Sequence, residues 1–369
     1  MSRRVLVVTG TRAEFGLLRS TMVAIRSHSE LELIVLAAGA HLLSPARTIE
    51  EVRREFEVAA EVPMQVQNAT GRTADSMSLG RGVSGCADSF ARIRPDFLVV
   101  LGDRIEAFAA ASAAAIAGIP LAHLHGGDRA EGVADEAMRH AISQLADLHF
   151  PATETSGKRL IRMGLDPSMV HVVGSPAVDD LESFPPLEEG LYRDLGSPRT
   201  IVLHHGSGVG LEHEVRFATA VLDAAIEHGG TLVLDPNHDP GSEAIRSQIA
   251  KRSGLPALES VPHLPRAVFI GLLRRIDAVV GNSSAGLIEA AVVGCPAVNV
   301  GPRQGGRERP GSVIDVDRPS KNRILEAIRL AADSKRRIDH PYGEPGVGQR
   351  IASILARQSI PVPRKRLAY

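Results

Sequence analysis

Short apolar runs alternate with longer amphipathic segments along the whole chain. That pattern favours one architecture above others, a parallel sheet with helices on both faces. Runs of strand length stand at 4–9, 33–38, 97–101, 121–125, 148–151 and 170–173. Helical periodicity fills 14–27, 73–93, 104–117, 135–146 and 154–163. Residues 183–190, SFPPLEEG, break the periodicity with proline, glycine and acids. A second series follows, with strands at 200–204, 231–234, 278–280 and 297–300 and helices at 212–228, 241–251, 265–274, 284–293 and 324–332. A last helix at 351–357 is expected to cross back onto the first series. The reading is α/β, with two doubly wound Rossmann-like domains facing a cleft. The first domain is residues 1–182, with about 350–369 packing back, and the second is 183–349. A length of 369 residues suits two such domains.

Charge restricts the partners. Lys and Arg total 42 against 43 Asp and Glu, which gives no electrostatic case for nucleic acid or an anionic membrane. No stretch approaches the roughly 20 apolar residues of a membrane span. The apolar run Val5-Leu-Val-Val8 is too short for the core of a signal peptide. Cys86 and Cys295 stand far apart and outside any CxxC, which reads as two buried thiols in a reducing cytoplasm.

Polar groups gather where strands end, the place at which open α/β sheets hold ligands. The densest stretch is HLHGGDRAEGVADEAMRH, residues 123–140. On a strand running through 125, His123 and His125 share one face. Asp135 and Arg139, four apart, share a helix face. His-x-His followed by Asp128 has the residue types of a metal site, but the Gly-Gly pair holds no third ligand in place, and no metal is expected. His123 is expected to be a hydrogen-bonded core residue. His125, Asp135 and Arg139 are expected at a pocket, where His and Asp supply tunable proton-transfer groups. Asp103, in LGDRIE, follows a wholly apolar strand and is either a helix cap or a pocket carboxylate.

Three loops suit phosphate. TGTRAEFG places Arg12 at a helix start, where backbone N–H groups can hold an anion. HHGSGVG, residues 204–210, is a glycine-rich turn in which His205 could contact a pyrophosphate or protonate a leaving group. GNSSAGLIE feeds Ser283 and Ser284 onto a helix start and leaves Glu289 an acid that a ribose diol would satisfy. Neither TGTRAEFG nor HHGSGVG has the GxGxxG spacing of a dinucleotide site. Arg303 lies in GPRQGGRER, a basic loop able to close on an anionic substrate.

Taken in order, TGTRAE, LGDRIE, HLHGGD with DEAMRHAI, GNSSAGLIE and GPRQGGR resemble the UDP-N-acetylglucosamine 2-epimerase family. They are more similar to its hydrolysing branch, of sialic acid and related nonulosonate synthesis, than to the non-hydrolysing one. The resemblance runs from about Val5 to Asp315. It implies the GT-B fold, with the nucleotide mainly on the second domain, a UDP-sugar substrate, no cofactor, and a homodimer or homotetramer. It also implies a reaction in which UDP leaves C1 and a proton leaves C2. Water then adds to the resulting 2-acetamidoglucal with C2 inverted, releasing N-acetylmannosamine.

By motif position the resemblance makes Asp103 and Asp135 the acid/base carboxylates, with Arg139 orienting one of them. His205 would hold the pyrophosphate, Arg12, Ser283 and Ser284 would bind phosphate, and Glu289 the ribose. Arg303 and Asn237 complete the substrate-binding set. His125 joins the catalytic set as either base or neutral donor, since some relatives carry Glu there. Asp128 stands where Glu is common. The alternatives are a hydrolysing 2-epimerase of UDP- or GDP-linked diacetylated bacillosamine, a GT-B glycosyltransferase, and a non-catalytic nucleotide-sugar sensor.

Overall fold

The computed structural model describes residues 2–44, 47–67, 69, 71–129, 135–207, 210–237, 241–334, 336 and 338–359, with Asp135 described by its backbone alone. The chain forms two compact units. The first comprises Met1–Asp128, Ala134–Asp179 and Tyr342–Tyr369, and the second Arg129–Val133 and Asp180–Pro341.

The first unit is a sheet of six parallel strands, β1 (Arg3–Thr9), β2 (Leu31–Ala38), β3 (Val58–Val62), β4 (Phe97–Leu101), β5 (Leu121–Leu124) and β6 (Leu148–Phe150). Their spatial order is β3-β2-β1-β4-β5-β6. The intervening helices are α1 (Arg12–Ser27), α2 (Ile49–Glu55), α3 (Arg72–Ile93), α4 (Ile105–Ala117), α5 (Asp135–Leu145) and α6 (Glu154–Arg162). The central strands β4 and β5 are buried at every residue, as a sheet covered on both faces requires. Helix α4 buries six alanines, Ala107, Ala109, Ala110, Ala111, Ala113 and Ala114, and their small side chains let it pack between α3 and α5.

The second unit repeats the winding. It holds α7 (Glu189–Asp194), β7 (Thr200–Leu203), α8 (Leu211–His228), β8 (Thr231–Leu234), α9 (Ser242–Ala250), β9 (Leu258–Val261), α10 (Arg266–Leu273), β10 (Ala278–Gly281), α11 (Glu289–Val292), β11 (Ala297–Val300), β12 (Val313–Val316) and α12 (Lys321–Asp333). Its strands, all parallel, run β12-β11-β10-β7-β8-β9. The proline-rich segment 183–190 packs on this unit, where the Leu187 N–H donates to the Gly271 carbonyl at 3.0 Å and the side chain is buried.

Three strands have no counterpart in the sequence reading, β3, β9 and β12, and each is the outermost strand of its sheet. Their exposure explains it, since β3 is mostly solvent-facing and β9 buries Leu258 alone. The strand expected at 170–173 reduces to a single bridge from Val170 to His149, beyond the other edge of the first sheet.

The chain leaves the first unit after Asp179 and re-enters it at Tyr342. Helix α13 (Val347–Arg357) then packs on α1, its Gly348 so close to the Ser20 carbonyl that a Cβ would lie 2.6 Å from that oxygen. The buried Asp179 carboxylate accepts the N–H groups of Gly346, Val347 and Gly348 at 2.8, 2.9 and 2.8 Å. Three donors at a helix start are thereby met by one anion, with the helix dipole adding to the attraction. Asp179→Ala is expected to cost about 3 kcal/mol, from three charge-assisted bonds lost together. Denaturant titration measures the loss, and faster amide exchange along α13 locates it; unchanged exchange there would remove Asp179 as the anchor.

Candidate active site

Both sheets reverse their winding at an equivalent place. The reversal falls between β1 and β4 in the first unit and between β7 and β10 in the second. Connections from such a pair leave toward opposite faces and open a crevice at the carboxyl ends of the strands. Four of the sequence motifs stand at these two points. Residues 10–12 follow β1 and 102–104 follow β4, while 204–207 follow β7 and 282–284 follow β10.

In the first unit Asp103 does not cap a helix. Arg104 takes the cap position of α4 without a side-chain bond. The Asp103 carboxylate forms an ion pair with Arg139 of α5. The Arg139 side chain is 5% exposed and that of Asp103 17%, so the guanidinium is buried while the carboxylate keeps an outlet to solvent. Asp135 opens α5 one turn before Arg139, and its side chain lies outside the described residues. Arg12, the first residue of α1, pairs with Glu51 of α2 at 3.0 Å.

The two histidines of HLH do not share a face, contrary to the strand pattern. Strand β5 ends at Leu124, and His125 adopts a left-handed φ of 60°, which turns its side chain out of the alternation. His123, fully buried, donates from Nε2 to the Gly102 carbonyl at 2.7 Å and meets the Ser143 hydroxyl at 3.0 Å. It is the structural residue expected. His125 is also buried, with Nδ1 2.9 Å from Asp128 and Nε2 2.9 Å from Ser175. Asp128 further accepts from Ser156 at 2.8 Å, and Ser175 accepts the Ala177 N–H at 3.2 Å.

One proton arrangement satisfies this network. His125 donates from Nδ1 to Asp128, and Ser175 donates to Nε2. The connectivity is that of a nucleophilic Ser-His-Asp triad, but Ser175 is wholly buried, so no substrate reaches its oxygen. Both ring nitrogens of His125 are thus committed to internal partners. Of the base and neutral-donor roles expected from the sequence, this arrangement occupies the lone pair a base needs and keeps the ring as an internal donor that fixes the turn after β5.

The second unit is organised around Asn282, which the sequence reading passed over. Its side chain accepts the His205 N–H at 2.7 Å and donates to the His205 carbonyl at 2.8 Å, joining the two loops at the winding reversal. Gly281 makes this possible; with φ of 140°, a Cβ there would lie 2.1 Å from the Leu203 carbonyl oxygen. The Asn282 carbonyl accepts from Arg303 at 3.3 Å and from Gln304 at 2.9 Å. His205 Nδ1 accepts the backbone N–H of Asn237 at 3.2 Å, so Asn237 reaches the site through its main chain while its side chain is exposed.

The helix expected at 284–293 is broken. Ser283 caps a 3-10 turn, Ser284–Gly286, by accepting the Ala285 N–H, and α11 spans Glu289–Val292. A serine bonding to its own backbone competes with helix formation. Glu289 opens α11 and lies 4.0 Å from Arg266. His205, Asn237, Arg303 and the serine loop are therefore gathered about Asn282, and Glu289 stands on the following turn.

Each unit also closes its first strand–helix loop with a buried glutamate from the helix that follows. Glu14 accepts the Gly10 N–H at 2.8 Å, and Glu214 accepts both the N–H and the hydroxyl of Ser207 at 2.7 and 3.0 Å. The spacing Thr11-x-x-Glu14 was a legible capping signal; Glu214 had none. Both cysteines are buried, which pushes their thiols up to about 12. Among the described residues no three His, Cys, Asp or Glu converge to hold a metal ion, and no helix is long and apolar enough to cross a membrane.

Comparison with known proteins bears on this geometry. The family model for UDP-N-acetylglucosamine 2-epimerase matches residues 23–356. A Legionella pneumophila protein named UDP-N,N'-diacetylbacillosamine 2-epimerase (hydrolyzing) is 33% identical over 364 residues, covering 96% of each chain. A Neisseria meningitidis UDP-N-acetylglucosamine 2-epimerase is 32% identical, over 89% of this chain and 87% of its own. In fold, the chain is similar to the crystal structure of UDP-GlcNAc 2-epimerase from Neisseria meningitidis bound to UDP-GlcNAc. The TM-score is 0.81, with 19% identity over 96% of this chain and 100% of that one.

Proposed function

The chain belongs to the UDP-N-acetylglucosamine 2-epimerase family, and from that membership we propose that it is a hydrolysing 2-epimerase, converting UDP-N-acetylglucosamine and water to N-acetylmannosamine and UDP. The observation that carries the chemistry is the Asp103–Arg139 pair, a partly exposed carboxylate fixed by a buried guanidinium at the crevice of the first unit. Asp103 and Asp135 are the acid/base groups. One takes the C2 proton, the C–H electron pair becomes the C1=C2 bond, and the C1–O bond breaks with UDP leaving. Water then adds, its hydroxyl to C1 and a proton to C2 from the opposite face. Such proton transfers depend first on placement and then on pKa.

The second unit takes the nucleotide. His205, Arg303, Ser283 and Ser284 bind the diphosphate about the Asn282 clamp, Asn237 supports His205, and Glu289 receives the ribose. Cationic and backbone donors there stabilise the charge that develops on the departing diphosphate. Arg12 supplies a further cation on the first unit. His125 is assigned to positioning.

A second reading is favoured by the Legionella relative. The same reaction on a diacetylated bacillosamine nucleotide would use the same carboxylates and differ at C4 and C6 of the sugar. Product analysis in heavy water tests both. The expected result is free UDP and a 2-epimerised free sugar carrying deuterium at C2, and the two kcat/KM values rank the substrates. A sugar still linked to UDP would exclude hydrolysis, and a product without deuterium would exclude proton removal at C2.

A further inference from the structure

A second pair of acids lies beneath the crevice of the first unit. Glu14, in the first turn of α1, and Glu106, in the first turn of α4, are 4% and 1% exposed. They flank the same residue from two sides. The Gly10 N–H donates to Glu14, and a Cβ on Gly10 would lie 2.4 Å from the Cβ of Glu106. Gly39 meets Glu106 as closely, with a Cβ there 2.4 Å from its Oε1. Glu106 Oε1 accepts from Gln65 at 2.7 Å and from the Ala40 N–H at 3.3 Å. Each acid keeps one buried oxygen, Glu14 Oε1 and Glu106 Oε2, with no partner among the described residues.

Two buried carboxyl groups packed against one residue repel each other when both ionise, and keeping one proton on the pair relieves it. We propose that Glu14 and Glu106 carry one proton between them as a pair, and act as positioning residues that lock the Arg12 loop and the Asp103 loop together.

This assignment rests on the acid/base role given to Asp103. Burial, aided by the charge of Glu106, raises the Glu14 carboxyl to about 8, while the Gly10 N–H and the charge of Arg104 oppose the rise. The other titratable neighbour, His41, has both ring nitrogens engaged, with Thr9 at 3.0 Å and Thr48 at 2.8 Å, while its backbone N–H donates to the Gly10 carbonyl. As pH rises through about 8 Glu14 loses its proton, and the added charge loosens the Gly10 turn against α4.

Three measurements on the full chain test the pair. In the wild type, kcat is expected to fall as pH rises through about 8. Glu14→Gln mimics the protonated acid, so it should keep kcat within about threefold at neutral pH and lose that alkaline fall. Glu106→Ala should lower kcat by about 100-fold with a much smaller change in KM, as a displaced catalytic group does. Infrared spectra at neutral pH should show a protonated-carboxyl band that Glu14→Gln removes. An alkaline limb unchanged in Glu14→Gln, or no such band in the wild type, would overturn the proposal. The band needs neither turnover nor a variant that folds. A chain inactive on both sugar nucleotides yet showing the band would sink the epimerase reading and leave the shared proton standing.

Discussion

Asp103→Asn is expected to lower kcat about a thousandfold, within the range that general acid–base groups contribute. The substitution keeps the shape of the side chain and an oxygen toward Arg139, but removes the charge and the ability to exchange a proton. Affinity for UDP should stay within about twofold, because His205, Arg303, Ser283 and Ser284 stand on the other unit and Arg12 is unaltered. Stability should fall by about 2–3 kcal/mol, since the buried Arg139 guanidinium loses its counter-charge. Steady-state kinetics with a separate UDP titration read the two effects apart. Turnover within about threefold of wild type would remove Asp103 from the chemistry.

His204→Leu is expected to stabilise the second unit, and more so in acid. His204 sits at the end of β7 among Val202, Ala218, Leu222, Val233 and Ile245. Neither ring nitrogen has a hydrogen-bond partner among the described residues. Burial lowers its pKa to about 4, with the charge of Arg303 adding to the effect. The unfolded chain binds a proton near pH 6.5 and the folded unit resists until about 4, so stability drains as pH falls through that window. At pH 7 leucine should gain about 1–2 kcal/mol by removing unsatisfied polar atoms. Near pH 4 the gain should widen by about 3 kcal/mol, since each pH unit crossed in that window is worth about 1.36 kcal/mol.

Stability must be compared between the two proteins at each pH. His41, lowered to about 4 by burial, adds acid lability, while Glu14, raised to about 8, gives the opposite slope between pH 4.5 and 8. These contributions cancel in the difference between wild type and His204→Leu. Denaturant midpoints with a gap that does not grow in acid would show that the His204 ring finds a partner.

The sequence was most legible where burial is two-sided. The inner strands of both sheets read as continuous apolar runs, and three edge strands, β3, β9 and β12, went unseen because they alternate weakly or face solvent. Asp103 was singled out by residue type and its position after a strand, and Arg139 by its four-residue spacing from Asp135 on a helix face. Asp128 was noticed as a departure, but its bond to His125 depends on the left-handed turn at His125, which no spacing reveals. Ser175, fifty residues later in the chain, carried no local signal for meeting the same ring.

The sequence by itself determined the layered α/β architecture, the polar loops at the strand ends and the residue types able to move protons and hold phosphate. Those properties are local, set by hydrophobic period, turn chemistry and charge. Tertiary structure alone decided which groups are spent on one another. His125 is committed to Asp128 and Ser175, Asn282 clamps the His205 backbone, and Glu14 and Glu106 are both buried against Gly10. Those outcomes depend on which donor, acceptor or charge packing brings within bonding distance, and residues far apart in sequence compete for them only once the sheets have formed.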